Sequence, residues 1–104
     1  MANNLMKIRA TAQGDTVDVR ILIGHVMETG QRKDSAGKVV PAHFIQSVKV
    51  THNGKPVLSA MWGPAVSKDP VFGFKFKGGK AGDKIAVTWV DNRGETQTQE
   101  ATIA

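Results

Sequence analysis

The sequence contains no cysteine, which excludes disulfides, thiolate metal centres, redox dithiols and a cysteine nucleophile. It has no apolar run approaching the ~20 residues of a membrane span. The opening MANNLMKIRATAQ lacks the continuous apolar stretch that a secretory signal needs. On these absences alone the chain reads as soluble and cytosolic. Acidic residues are also few: nine Asp+Glu against fourteen Lys+Arg give a net charge of +5. Such an excess admits nucleic acid or an acidic partner. The cations are spread along the whole chain, however, with no dense run, and a solvated surface is the simpler reading. No segment of useful length keeps a 3.6-residue apolar period, so almost no helix is expected.

What is present is a series of short period-2 runs separated by Gly, Asn and Asp. Met6, Ile8 and Ala10 alternate with Lys7, Arg9 and Thr11, and Gly14-Asp15 turns the chain. Val17, Val19, Ile21 and Ile23 form the cleanest inward face, with Asp18 and Arg20 outside. Phe72, Phe74 and Phe76 alternate with Lys75 and Lys77, and read as core rather than as a stacking platform for bases. Ile85, Val87 and Trp89 point inward, and Asp91-Asn92-Arg93-Gly94 turns into a last strand that ends at Ile103. About seven strands in about 100 residues predict an all-β, immunoglobulin-like β-sandwich. An OB-like barrel is the alternative. At 104 residues the chain has room for one core, so residues 1–104 are read as a single domain.

The strongest local signal is HFIQSVKVTHNGKPVLSAMW, His43–Trp62. Asn53-Gly54 separates two β-rich runs and suits a type I′ turn, which needs φ > 0 at both central residues. A two-residue loop sets His52 against Lys55, Val50 against Val57, Lys49 against Leu58 and Ile45 against Trp62. That register puts Phe44, Val48, Val50, Val57 and Met61 on the core face and Ile45, Leu58 and Trp62 outside. Three large apolar side chains on an outer face predict a partner-binding patch, unless a bulge turns them inward. Pro56 marks the second strand as an edge. Two long connections, Glu28–Pro41 and Gly63–Pro70, are further binding candidates; the first reads otherwise as a solvated loop or a long hairpin around Asp34–Gly37.

Catalytic and cofactor signals are weak. Gly78-Gly79-Lys80 lacks the upstream glycine, the following Ser or Thr and the helix of a phosphate loop. Ser35, Ser47, Ser59 and Ser67 lie in no nucleophile elbow, and no tight carboxylate pair is apparent. His25, His43 and His52 are far apart, so a metal site would depend wholly on the fold. His25 and Met27 could form a soft copper pair, without the thiolate of a blue-copper centre. His52 flanks the hairpin turn and reads as solvated. The residues therefore predict no catalytic set, no cofactor and no metal, and point to a binding or structural module.

Several stretches taken together resemble the SoxZ family of bacterial sulfur (thiosulfate) oxidation. They are His25-Val26-Met27-Glu28-Thr29-Gly30, Arg32-Lys33-Asp34, Pro41-Ala42-His43-Phe44-Ile45, Trp62-Gly63-Pro64-Ala65-Val66-Ser67 and Phe72-Gly73-Phe74-Lys75-Phe76-Lys77. The resemblance runs from about Lys7 to Ile103. One departure is Val26, where the family pattern favours Pro. The resemblance implies an immunoglobulin-like sandwich that forms a heterodimer with SoxY, which bears sulfur intermediates on a Cys near its own C-terminus. It implies transient contact with other Sox enzymes, no enzymatic activity of its own, no nucleic acid and no membrane. It also implies a periplasmic site, reached without a signal peptide by co-export with the partner, in place of the cytosolic reading above. Ile45, Leu58 and Trp62 are the expected contact residues.

Overall fold

The computed structural model describes residues 6–63, 65–66 and 68–104. The candidate loop Gly63–Pro70 is therefore described except for Pro64 and Ser67, which lie outside the described residues. Among the described residues there are seven strands and no helix: β1 Met6–Gln13, β2 Thr16–Ile23, β3 Ile45–His52, β4 Lys55–Met61, β5 Val71–Lys77, β6 Lys84–Asp91 and β7 Thr96–Thr102. They form two antiparallel sheets in the orders β1-β2-β5 and β4-β3-β6-β7. This is the predicted immunoglobulin-like sandwich; two sheets with free edges are not a closed barrel.

The inward faces follow the alternation in the sequence. Val17, Val19, Ile21 and Ile23 of β2 are 0–1% exposed, as are Ile85, Val87 and Trp89 of β6. Both strands are flanked on each side by another strand, so each inward residue is covered from both neighbours. Gly79 also serves this core. A Cβ there would lie 2.6 Å from Val17 Cγ2 and 3.0 Å from the Phe76 ring, so only glycine fits. Close packing accounts for the Gly78-Gly79-Lys80 turn without any phosphate.

The hairpin turn forms as read: Asn53 and Gly54 both have positive φ, at 49° and 86°, and His52 faces Lys55. Beyond it the predicted register fails. Thr51 pairs with Pro56, but Val50 then pairs with Leu58, Lys49 with Ser59, Val48 with Ala60 and Ser47 with Met61. Val57 is an extra residue, a β-bulge that shifts β4 by one. A one-residue shift exchanges the faces of everything beyond it. Leu58 turns inward, with Trp62 packed beside it on the core, while Met61, expected in the core, turns out and is 81% exposed. A second irregularity, between Ile45 and Ser47 on the β3–β6 ladder, leaves Gln46 unpaired and turns Ile45 inward, where it is 0% exposed. The bulge reading thus replaces the outer apolar patch.

Pro56 does sit on an edge strand, since β4 ends its sheet. The Glu28–Pro41 connection takes the long-hairpin form. Glu28 bridges His43, Lys33 bridges Val39, and Asp34 caps the tip by accepting the backbone N–H groups of Ala36 and Lys38. A bidentate Arg32–Glu28 pair, at 2.8 and 2.9 Å, braces its base.

Candidate functional site

Both long connections meet at one end of the sandwich, where β2, β4 and β6 finish and β3 and β5 begin. The segment around His25 is tied to the second loop: His25 N–H donates to Asp69 Oδ1, and Asp69 N–H donates to the His25 carbonyl. His43 is held from both sides. Its N–H and C=O pair with those of Glu28, while Asn92 accepts from Phe44 N–H and donates to the Ala42 carbonyl. These backbone clamps bring two imidazoles, distant in sequence, to 4.6 Å between ring centroids.

Both rings converge on Asp91, the last residue of β6, which is 1% exposed. Asp91 Oδ2 faces His43 Nε2 at 2.7 Å and His25 Nε2 at 3.2 Å. Asp91 Oδ1 accepts the backbone N–H groups of Arg93 and Glu95, which shapes the turn into β7. Burial pushes this carboxyl up, but the hydrogen bonds from His25, His43, Glu95 and Arg93 outweigh it and hold it below the usual carboxylate range. The His25 tautomer follows from its surroundings. Met27 N–H donates to Nδ1, so the ring proton sits on Nε2 and points at Asp91. His43 Nε2 has a second acceptor, Glu95 Oε1 at 3.0 Å.

His25, His43 and Asp91 offer ligand atoms within 4.8 Å of one another. The suggested His25–Met27 copper pair, by contrast, is occupied. His25 Nδ1 accepts Met27 N–H, and Met27 Sδ accepts Ile45 N–H at 3.4 Å. The third histidine, His52, is not gathered in. It lies at the opposite end, half-buried, with Nε2 2.7 Å from Asp83 Oδ2. Its hydrogen bond holds the Asp83 carboxyl below the ordinary value, helped by Lys80 N–H and Asn53. A folded-state pKa below the unfolded one stabilises fully above the unfolded value and is lost as pH falls through the folded one. Asp83→Asn is therefore expected to lower the urea midpoint at neutral pH, with the gap to the parent closing in acid. A gap that persists unchanged at low pH would exclude this ion pair as its cause.

A second feature runs along one side. On the other side, the C-terminal residue joins β1 to the β7 end: Ala12 N–H donates to the Ala104 carbonyl, and Ala104 N–H to that of Ala10. Among the described residues no ladder joins β4 to β5. The inward residues of these two edge strands are accordingly only half-buried: Val57 and Leu58 on β4, and the whole Phe72/Phe74/Phe76 stripe on β5. Trp62 stands over the gap, edge-on to Phe72 at 5.2 Å. Next to Trp62 and Phe72 in the chain, Met61 and Val71 point to the outer faces of the two edge strands and are 81% and 71% exposed. Of the three expected contact residues, Ile45 is corrected to core, because the bulge at Gln46 buries it fully. Leu58 and Trp62 sit in this seam, facing inward rather than outward.

The outer face of the three-stranded sheet gathers charge that looked scattered in the sequence. Lys7, Arg9, Arg20, Lys75 and Lys77 share it with Asp18 as the one acid, and Arg9 lies directly opposite Arg20. Like charges in register repel, so this face has a local excess of positive potential.

Fold and site together define an immunoglobulin-like β-sandwich with an open lateral seam, a basic sheet face and a buried His–Asp–His knot at one end. The family described as sulphur oxidation protein SoxZ matches residues 6–102, and the chain belongs to that family. It is thus a component of a sulfur-oxidation (Sox) system. No curated protein matches the sequence significantly. Among solved structures, a hypothetical protein from Pyrococcus horikoshii is similar at 17% identity and a TM-score of 0.65, over 96% of this chain and 86% of that one. The superoxide reductase (neelaredoxin) of Archaeoglobus fulgidus in its reduced form is similar at 21% identity and a TM-score of 0.64, over 96% of this chain and 87% of that one. At such identities the likeness is one of fold.

Proposed function

We propose that this chain is the cysteine-free scaffold of a two-subunit sulfur carrier. It pairs with SoxY, whose Cys holds the sulfur intermediates of thiosulfate oxidation covalently, and contributes no reacting group of its own. The observation that carries this reading is the β4/β5 seam. The buried core is 0–5% exposed, whereas five inward apolar residues on these two facing edge strands, three of them phenylalanines, are only half-covered, beside Trp62. Apolar area left wet on an edge loses about 25 cal/mol of stabilisation for each Å² that a partner would cover. SoxY is the proposed cover, with Leu58 and Trp62 as inner contacts. The complex works in the periplasm and reaches it on the partner's signal. The basic sheet face steers the transient encounters with other Sox enzymes, through charge that speeds association and weakens with salt.

The test is native mass spectrometry of the protein purified from its own cells grown on thiosulfate. The expected species is a 1:1 complex with a Cys-bearing partner whose mass varies by sulfur-containing adducts. Recovery of the chain alone, or with nucleic acid, would overturn the reading.

A further inference from the structure

We infer that His43, Asp91 and Glu95 form a binding site for a borderline divalent cation of the Zn²⁺ class, with His25 as the residue that positions Asp91. This inference stands apart from the carrier reading.

The argument begins with a count of protons. An imidazole Nε2 bears at most one, yet His43 Nε2 faces two carboxylate oxygens, Asp91 Oδ2 at 2.7 Å and Glu95 Oε1 at 3.0 Å. One N–H cannot serve both well. The neighbouring ring does not relieve the shortage. His25 Nδ1 already accepts from Met27 N–H, so this ring turns only Nε2–H toward the site, and it points at Asp91. Two carboxylate oxygens thus share the one ring nitrogen of His43, and one of them belongs to the buried Asp91. Glu28, the next acid along, already has Arg32 as its partner. Two carboxylate oxygens therefore stand within 3.0 Å of a nitrogen that is itself a metal-ligand atom.

The geometry suits an ion in place of that proton. Ligand atoms held ~2.0–2.2 Å from a tetrahedral Zn²⁺ lie ~3.3 Å apart, so His43 Nε2 needs to separate from each oxygen by only a few tenths of an ångström. Glu95 can supply that movement, since its side chain is 56% exposed. His43 Nδ1 makes no hydrogen bond among the described residues and can hold the remaining ring proton. Asp91 Oδ1 is fixed by two backbone N–H groups, leaving Oδ2 to bind the ion through one oxygen. His25 Nε2–H donates to that same oxygen, which is the outer-sphere support that ligating carboxylates ordinarily have. Solvent reaches the site past Glu95 and completes the coordination. One imidazole and two carboxylates suit Zn²⁺ or Co²⁺ better than Cu⁺, which favours sulfur.

The test is titration of the chelator-stripped full chain with Zn²⁺ by calorimetry, and with Co²⁺ by visible absorption. We expect one ion per chain and the intense visible bands of four-coordinate Co²⁺. Glu95→Gln, a change at an exposed side chain that leaves the fold intact, and His43→Gln should each weaken binding at least tenfold. His52→Gln, which alters the other His–carboxylate pair at the far end, should leave it unchanged. Absence of stoichiometric binding, or binding that survives Glu95→Gln, or equal loss in His52→Gln, would each overturn the site.

Discussion

The double variant Met61→Asp/Val71→Asp is expected to lose its partner while keeping its fold. Both side chains are largely in water already, at 81% and 71% exposure, so charging them costs the isolated chain little. They sit on the two edge strands, next in the chain to Trp62 and Phe72, at the rim of the half-covered aromatic stripe. A partner seated there would have to bury two carboxylates against apolar surface, which is strongly unfavourable. The expected loss of affinity for SoxY is on the order of 100-fold, about 2.7 kcal/mol. It is measured by calorimetry with the purified partner, alongside thermal unfolding of the variant alone. Trp62→Asp should behave differently. Because the bulge at Val57 turns Trp62 inward against Phe72, this change should lower the chain's own stability as well as its binding. If the double variant binds like the parent, the seam is merely an uncovered edge and the partner docks elsewhere.

Asp91→Ala is expected to produce the largest loss of stability of any single change described. The side chain is itself fully buried and accepts four hydrogen bonds, two from imidazoles and two from backbone N–H groups. Removing it leaves His25 Nε2–H buried without an acceptor and loosens the turn into β7. Breaking one side of such a buried pair costs about 3–5 kcal/mol, a large part of the ~5–15 kcal/mol that a domain has in total. Asp91→Asn keeps the shape and one acceptor oxygen but opposes an amide N–H₂ to a ring N–H. A smaller loss, about 1–3 kcal/mol, is expected. Urea unfolding in chelator-treated buffer measures both without interference from metal. A loss below about 1 kcal/mol in Asp91→Ala would mean that the knot does not hold this end together.

The family membership lends these two regions different meanings. The seam is where the proposed partner would dock, and the knot is what ties the loop end to β6. His25, Met27, Glu28 and His43 all belong to stretches by which the chain resembles its family, and the structure gives each a definite contact. Val26, the departure from the family pattern, is 44% exposed and touches none of these hydrogen bonds through its side chain.

Much of this was legible in the sequence because it depends on neighbours along the chain. Side chains alternate across a strand, so Val17, Val19, Ile21 and Ile23 declare an inward face wherever the strand packs. Asn53-Gly54 declares its turn because few other pairs adopt two positive φ angles. Pro56 likewise marks an edge by lacking an N–H. The bulges at Gln46 and Val57 could not be read in this way. An extra residue is extra only relative to the strand opposite, and that count decided whether Ile45, Leu58 and Trp62 faced water or core. The half-buried state of Phe72, Phe74 and Phe76 depends on which strands end a sheet, which alternation does not encode. The same holds for the basic face, whose cations come from three strands. The knot is the furthest from the sequence. Asp91 lies 48 residues from His43 and 66 from His25, and in the sequence it was only part of a turn. Local chemistry determined strands, turns and most faces; only the tertiary structure set the register, exposed the seam and brought two imidazoles to one carboxylate, because those depend on contacts between segments that the chain order keeps apart.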